Sequence, residues 1–198
     1  MRYNIAVRGE IGMLRNIVKH FITITKHKIL VFILCCKAGE PWRGFMHDWS
    51  KYSWVEFSES IKYYKGTYSP IIACKKENGY SKAWLHHKGR NKHHPEYWYD
   101  EATEEKTLVM PYEYAVEMIC DNLAAGKVYK GKDWTNNTQL EYWNRVESRK
   151  KINEKTSNFA KIVLEEVSKK GIDKTINKTN LKRIYNECIN EEKIPSTK

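Results

Sequence analysis

The sequence predicts an all-α protein, and three observations carry that prediction. Apolar residues recur at helical spacing near the N-terminus and again in the C-terminal third, Gly and Pro residues separate these stretches, and strand signals are weak. The chain has 198 residues, of which 41% are hydrophobic and 30% charged, so it can bury a core. This composition excludes wholesale disorder, collagen-like fibres and a polytopic membrane protein.

The first predicted helix covers residues 10–37 and ends where Gly39 and Pro41 stop it. Its apolar segment at 21–36 is interrupted near the centre by the polar run K-H-K at 26–28. A bilayer span needs about 20 consecutive apolar residues. We therefore expect a buried helix here, and no membrane partner.

The next segment is predicted to contain a loop, a short helix and a capped helix. The loop covers 40–45 and leads into a short helix that bears His47 and Asp48. Ser53 and Glu56 then form a capping-box pattern, in which each side chain satisfies a free backbone N–H at a helix start. This pattern opens the following helix.

The remaining elements follow from the same Gly, Pro and apolar signals. A helix introduced by Pro111 is expected to end at Gly126. We divide the chain into a helical domain at 1–135 and a basic helical extension at 136–198 that packs on it. Helices are expected at 53–65, 71–76, 81–88, 112–125, 138–152, 157–169 and 179–190, with turns or loops at 66–70, 79, 89–100 and 131–137.

The charge and the cysteine content of the chain limit its possible partners and its cellular compartment. Lys and Arg total 35 against 24 Asp and Glu, and the net charge of +11 favours anionic partners such as phosphates or nucleic acid. The 5 cysteines are odd in number and include no C-x-x-C spacing, which argues against a disulfide framework or a zinc finger. We expect buried free thiols in a reducing, cytoplasmic compartment.

Four of the 7 histidines lie close together, in the segment H-H-K-G-R-N-K-H-H. A helix end followed by a Gly-containing loop can fold one histidine pair back towards the other. Imidazoles beside basic side chains suit a metal site that binds a phosphate. The alternative interpretation is a histidine-rich surface patch. The four residues are His86, His87, His93 and His94.

Further candidate ligands lie on other predicted helices. His47 and Asp48 are adjacent and can share one cation. His27 lies on the apolar first helix, where the alternative is an ordinary core histidine. Asp121 follows an apolar run, and Glu117 lies one turn before it on the same helix face. Buried carboxylates are rare unless they are paired or bound to a metal.

The order His … His-Asp … His … His … Asp resembles the HD-domain metal-dependent phosphohydrolase superfamily, which implies an HD-domain-like helical bundle. Lys51 follows the His-Asp pair as in the superfamily's HD-x-x-K variant. A closer resemblance, over residues 15–130, is to an uncharacterised bacterial and phage domain family of unknown function. It rests on the motifs P-W-R-G at 41–44, H-D-W-S-K-Y at 47–52 and A-W-L-H-H-K-G-R-N-K-H-H-P-E-Y-W at 83–98.

The superfamily resemblance implies one ion held by His27, His47, Asp48 and Asp121. The two histidine pairs lie closer together than in four-histidine members of that superfamily, so their part stays open. They hold a second ion, or they bind substrate phosphate. Helical facing favours His87 and His94 as the ligands. The implied ion is divalent, with Mn, Fe, Co, Ni, Zn and Mg all admissible.

The implied reaction is hydrolysis of a nucleotide, a cyclic nucleotide or another phosphorylated small molecule by metal-activated water. Lys51, Lys88 and Arg90 would neutralise phosphate charge in the transition state. Glu56 would act as general base or position the water, although its capping role explains it equally well. The corresponding alternative for Lys51 is a solvated surface lysine.

Three other functions stay open at this level. The same ligand set suits a di-iron oxygenase, and a saturated set suits a structural metal site. The basic surface suits a non-catalytic protein that binds nucleotides or nucleic acid. The apolar stripes of the C-terminal helices suit either a packing face or a homodimer contact.

Overall fold

Helix α1 is the longest element of the computed structural model, and it runs from Arg2 to Ala38. The structure describes residues 2–190, with side chains from residue 12 onward. Gly39 follows α1 with a φ of 81°, a left-handed conformation that glycine adopts without steric cost. The helix therefore begins earlier than its apolar pattern indicates, and it stops at the predicted place.

The segment after α1 is helical, so the predicted loop at 40–45 was wrong. Helix α2 covers Pro41–Met46 and has its proline in the first turn, where the missing N–H costs no helical hydrogen bond. His47 and Asp48 lie outside any α-helix, between α2 and a 3-10 turn at Trp49–Tyr52. The predicted short helix around them was also wrong, because Asp48 takes a left-handed φ of 52°.

Helix α3 covers Trp54–Lys62 and begins after Ser53, but without the predicted capping box. The Ser53 hydroxyl makes no cap hydrogen bond and has no partner among the described residues. Glu56 contacts the imidazoles of His86 and His87 instead of the helix start. The capping interpretation of Glu56 was therefore wrong: its two oxygens are engaged by side chains that lie far along the chain.

Most of the remaining helices lie close to their predicted positions, and residues 2–190 contain no β-strand, so the all-α prediction is confirmed. The helix predicted at 138–152 ends at Val146, and the short helix at Ile172–Thr175 was not predicted. Helix α6 is longer than predicted and continues through Gly126, whose missing side chain leaves room for Gln139 against the helix. These helices are α4 Pro70–Asn78, α5 Lys82–Lys88, α6 Tyr112–Lys130, α7 Thr138–Val146, α8 Glu154–Lys170, α9 Ile172–Thr175 and α10 Lys178–Asn190.

Helices α1 and α6 pack against each other, and both contribute to one apolar core. Val31 of α1 and Ile119 and Leu123 of α6 are fully buried in it, together with Phe159 of α8 and Leu181 of α10. Helix α6 also contacts α7, α8 and α10. The C-terminal helices therefore share the core of the N-terminal ones, while the domain boundary at 135/136 stays a prediction.

The expectation of a buried helix at 21–36 holds for one face only. Val31 and Leu34 are buried, whereas Ile29 and Phe32 are 53% and 40% exposed. Helices α2, α3, α6 and α10 contact this helix, and within residues 12–190 no element covers its outward apolar side chains such as Ile29 and Phe32. Within residues 2–190, no helix is both long and apolar enough to cross a bilayer.

The cysteines follow the sequence expectation except for one residue. Cys35, Cys74 and Cys120 are buried free thiols, Cys188 is buried, and Cys36 is exposed. A hydrogen bond with Cys35 and burial raise the pKa of Cys120 well above its usual value, so this thiol stays protonated. Protonated, buried thiols act as small apolar side chains.

Candidate metal centre

The candidate ligands come from separate elements that meet beside the contact between α1 and α6. The turn after α2 contributes two of them, and Asp48 has its left-handed backbone there. Aspartate tolerates this conformation better than most non-glycine residues. The ligands are His27 on α1, His47 and Asp48 in that turn, His87 on α5, His93 and His94 in the loop after α5, and Asp121 on α6.

The first cluster contains His27, His47, Asp48 and Asp121, whose ligand atoms all lie within 4.8 Å of one another. His27 Nε2 is 3.3 Å from His47 Nε2 and 2.9 Å from Asp121 Oδ1. His47 Nε2 is 3.1 Å from Asp48 Oδ2. Ligand atoms about 2.1 Å from one ion are roughly 3.0–3.4 Å apart in octahedral or tetrahedral geometry. The observed separations therefore fit one coordination shell.

The second cluster contains Asp48, His87, His93 and His94, again with ligand atoms within 4.8 Å of one another. Asp48 Oδ1 is 3.4 Å from His87 Nε2 and 3.5 Å from His93 Nε2. Because Oδ2 of Asp48 faces the first cluster and Oδ1 faces the second, the two clusters share this carboxylate. The arrangement can hold one ion, or two ions that Asp48 bridges.

Several polar atoms in these clusters are buried without a hydrogen-bond partner among the described residues. They include Asp48 Oδ1, His93 Nε2 and His94 Nε2. An unsatisfied buried polar group costs about 1–3 kcal/mol, and more when it is charged. All three atoms belong to residues of the second cluster, and a cation bound there would supply the missing partner. Buried histidine and carboxylate groups in this chain could therefore hold a metal ion.

Glu117 orients one histidine of each cluster by contacting its Nδ1 atom. Its Oε1 lies 3.0 Å from His47 Nδ1 and 3.2 Å from His93 Nδ1, and its Oε2 accepts a hydrogen bond of 3.0 Å from Arg43 Nε. A carboxylate at Nδ1 holds the proton on that nitrogen and directs Nε2 of the same ring towards a metal. His47, His93 and Glu117 form a third group whose atoms are close enough to hold a metal ion. They lie this close because Glu117 contacts both rings.

Glu56 has the same role for the second cluster. Its Oε2 lies 2.8 Å from His87 Nδ1, and its Oε1 lies 2.7 Å from His86 Nδ1. Ser50 and Asn91 add contacts of 3.3 Å and 3.1 Å to His87 Nδ1. His87 is therefore held by several groups, with its Nε2 directed at Asp48.

Burial and neighbouring charges set the protonation of the ligands. Burial opposes ionisation of Asp48, but the charges of His47 and Lys51 outweigh it and hold the pKa of Asp48 well below its usual value. Burial lowers the pKa of His94 well below its usual value, so this imidazole is neutral. Burial also opposes ionisation of Glu117, yet hydrogen bonds from His47 and His93 lower its pKa to about 2. Ionised carboxylates and neutral imidazoles are the forms that bind metals.

Comparison with known proteins gives a family. A family model described as "Family of unknown function (DUF5662)" matches residues 16–170, which is most of the chain. This chain belongs to DUF5662. No curated protein and no solved structure matches it. The family description names no activity, so only the residues and geometry of the site indicate the chemistry of the DUF5662 chain.

The structure brings most of the expected site residues of the DUF5662 chain together. Lys51 lies at the first cluster, with its Nζ 2.5 Å from Asp48 Oδ2. His86 is outside both clusters and contacts Glu56. Neither Lys88 nor Arg90 forms an ion pair or a side-chain hydrogen bond in the described part of the chain. The second cluster therefore contains three of the four neighbouring histidines. The helical-face argument from the sequence had favoured only two of them as ligands.

Arg43 of α2 was not recognised as a positioning residue from the DUF5662 sequence, and it pairs with Glu117. Glu117 was recognised from the sequence only by its place one turn before Asp121 on the same helix face. Its contact with histidines from two distant segments has no counterpart in the sequence pattern.

Proposed function

We propose that this DUF5662 chain is a metal-dependent phosphohydrolase that acts on a nucleotide or another phosphorylated small molecule. One observation carries the proposal: two ligand clusters share Asp48 and contain buried nitrogen and oxygen atoms without a hydrogen-bond partner in the described part of the chain. The order of these ligands along the chain is the one that resembles the HD-domain superfamily. Hydrolysis of phosphate esters is the chemistry which that resemblance implies.

A divalent ion held by these residues would lower the pKa of a bound water and polarise a phosphoryl oxygen. The chain supplies the remaining groups. The pKa of Lys51 is raised, because the charge of Asp48 outweighs the effect of burial. The Lys51 side chain is therefore positively charged. This side chain is 27% exposed while its Nζ contacts Asp48 Oδ2, so its charge would help to neutralise a phosphate bound at the clusters.

Exposure at one side of the clusters favours catalysis over a closed structural site. His47, Asp48, His87 and His93 have side chains with 0–2% exposure, whereas Asp121 is 22% exposed. Structural metal sites are closed by protein ligands, but catalytic sites keep a position open to substrate or water. Asp121 and Lys51 mark the side from which a substrate can reach the clusters.

The proposal is tested by metal content and turnover together. Untagged wild-type protein, purified without chelators, is compared by elemental mass spectrometry with Asp48→Asn and with Asp133→Asn, an exposed control on the surface. We expect one or two transition-metal ions per wild-type and control chain, and loss of metal from Asp48→Asn. A screen of nucleotides and other phosphate esters should then show hydrolysis that the same variant loses.

Each other outcome points to a different function. Metal with oxygen-dependent turnover and an iron absorption band would assign the di-iron oxygenase. Metal without turnover of any phosphate ester would indicate a structural site. A wild type that binds no metal, and that Mn, Fe, Ni and Zn do not stabilise, would reject the metal centre. Salt-dependent nucleic-acid binding that Asp48→Asn leaves unchanged would then favour a binding protein.

A further inference from the structure

Helix α1 presents an apolar face to solvent along most of its described length. The side chains on this face follow one another at three-, four- or seven-residue spacing, opposite the face that packs on α6. Over 20 residues such a stripe is about 30 Å long. Its exposed members are Leu14, Val18, Phe21, Ile22, Ile29, Phe32 and Ile33.

A row of aromatic rings extends this stripe sideways onto α2. Trp42 stacks on Phe45 with 5.7 Å between ring centroids, and Phe45 lies 6.1 Å from Trp49. Trp49 lies 5.9 Å from Tyr52, which lies 6.0 Å from Phe21 of α1. The stripe and the row, together called the α1–α2 apolar face, form one surface that is two helices wide.

The charges along the α1 part of the α1–α2 apolar face have one sign. Residues 11–39 contain five Lys and Arg residues and no Asp or Glu. Arg15, Lys19 and Lys26 are exposed along one edge of the stripe and form no ion pair in the described part of the chain. Lys28 lies over the Trp49 ring at 4.5 Å, and Lys37 pairs with Asp173.

We propose that the α1–α2 apolar face docks on an anionic phospholipid surface. Exposed apolar patches of this extent mark interaction sites. An apolar helix face with Trp and Phe, bordered by cations, fits the boundary between acyl chains and headgroups, where anionic lipids attract the cations. Self-association through α1 is disfavoured, because a second copy would bring Arg15, Lys19 and Lys26 against like charges. The helix lies on the bilayer, since Lys26 and Lys28 interrupt its apolar sequence.

This docking differs from the sequence-based prediction of no membrane partner, and it does not depend on the proposed metal chemistry. The two sites are nevertheless adjacent. Lys28 donates hydrogen bonds to the carbonyl oxygens of Phe45 and His47, at 2.8 and 2.5 Å. The turn that carries the ligands His47 and Asp48 therefore lies between Phe45 and Trp49, in the middle of the aromatic row.

Cosedimentation with lipid vesicles tests the proposal on the full chain. Vesicles of phosphatidylcholine alone are compared with vesicles that also contain phosphatidylserine. The double variant Lys19→Glu/Lys26→Glu is matched by Lys161→Glu/Lys169→Glu, which reverses two exposed charges on α8. Ile29→Ser is matched by Ile162→Ser on α8, where the side chain is 39% exposed. Circular dichroism checks that all four variants are folded.

Wild-type chain should bind the anionic vesicles, and added salt should weaken this binding. The double variant on α1 should lower the partition coefficient by about tenfold or more. Ile29→Ser should also lower it, and the two control variants should bind like wild type. No binding to phosphatidylserine vesicles, or equal loss in the α1 and α8 variants, would overturn the proposal. A dimer that Ile29→Ser dissociates, in a chain that binds no vesicles, would assign the face to a second copy instead.

Discussion

Glu117 is the residue that links the two ligand clusters, because one of its oxygens contacts His47 of the first and His93 of the second. Replacing it by glutamine keeps the size of the side chain but removes the charge that orients both rings. We expect Glu117→Gln to weaken metal binding by about 10–100-fold, the range found for carboxylates behind histidine ligands. Isothermal titration with Mn or Zn measures this change.

The control for this substitution is Glu141→Gln, at an exposed position on α7. It removes the same charge without touching the metal centre and should bind metal like wild type. If Glu117→Gln binds metal normally while its unfolding curve is unchanged, Glu117 has no orienting role. Loss of metal from both clusters in Glu117→Gln would show that one carboxylate serves both.

His47 is the ligand at which a metal and a proton compete most directly. Burial disfavours its charged form, but Asp48 and Asp121 outweigh burial and raise the pKa of His47 well above its usual value. The metal-free ring therefore carries a proton near neutral pH. A metal ion needs neutral Nε2, so binding displaces this proton and the apparent affinity rises with pH. Titration calorimetry in buffers of different ionisation enthalpy counts the protons; a pH-independent affinity without proton release would contradict the prediction.

At the scale of elements, the close contact of α2 with α1 sets the position of the metal-binding turn. A Cβ atom at Gly44 would lie 2.7 Å from Cys35 Cβ and 2.9 Å from the Cα atom of Phe32. The second of these is backbone, so α2 itself would have to move. Because His47 and Asp48 directly follow α2, such a shift would displace two ligands.

Gly44→Ala should therefore lower the free energy of unfolding by about 1–3 kcal/mol, as overpacking of a tight contact does. It should also weaken metal binding. Gly12→Ala is the control, since a Cβ there meets nothing within 4 Å and alanine favours a helix. Urea unfolding of both variants measures the difference. A Gly44→Ala chain as stable as wild type would show that α2 adapts to the methyl group.

Local signals predicted helices where the deciding interaction is itself local. Gly39 and Gly79 follow helices in a left-handed conformation, and the Ser81 side chain caps α5. The signals failed where a distant residue intervened. Glu56 contacts two histidines instead of the helix start, and Gly126 lies inside α6, where its missing side chain makes room for Gln139.

At the scale of the whole molecule, the metal centre joins parts of the chain that are far apart in sequence. Ligands from α1, the turn after α2, α5 with its following loop, and α6 meet at one place. An ion that binds only this folded arrangement must stabilise it. At an ion concentration roughly 100 times Kd, the stabilisation is about 2.7 kcal/mol.

For a chain of this size, that stabilisation corresponds to a rise in Tm of roughly 5–10 °C. Differential scanning calorimetry of chelator-treated protein, before and after metal is added, measures it. Asp48→Asn should lose the rise, because both clusters use this carboxylate. Equal shifts in wild type and Asp48→Asn would mean that the ion binds elsewhere.

Much of the site could be predicted, because its chemistry depends on residue types that the sequence shows directly. Seven of the eight expected metal ligands lie in the two clusters. The eighth, His86, is next to a ligand in sequence but contacts Glu56 instead. Adjacent histidines are equivalent in a sequence pattern, and only the direction of each ring separates them.

The sequence by itself determined the all-α class, most helix positions and the order of the metal-binding residues. These follow from periodicity, from Gly and Pro, and from side-chain chemistry, all of which act over a few residues. The tertiary structure alone decided that Asp48 is shared between two clusters, that Glu117 orients histidines of both, and that the described part of α1 exposes apolar side chains on one face. Each of these depends on which elements meet in space, and that depends on packing between segments far apart along the chain.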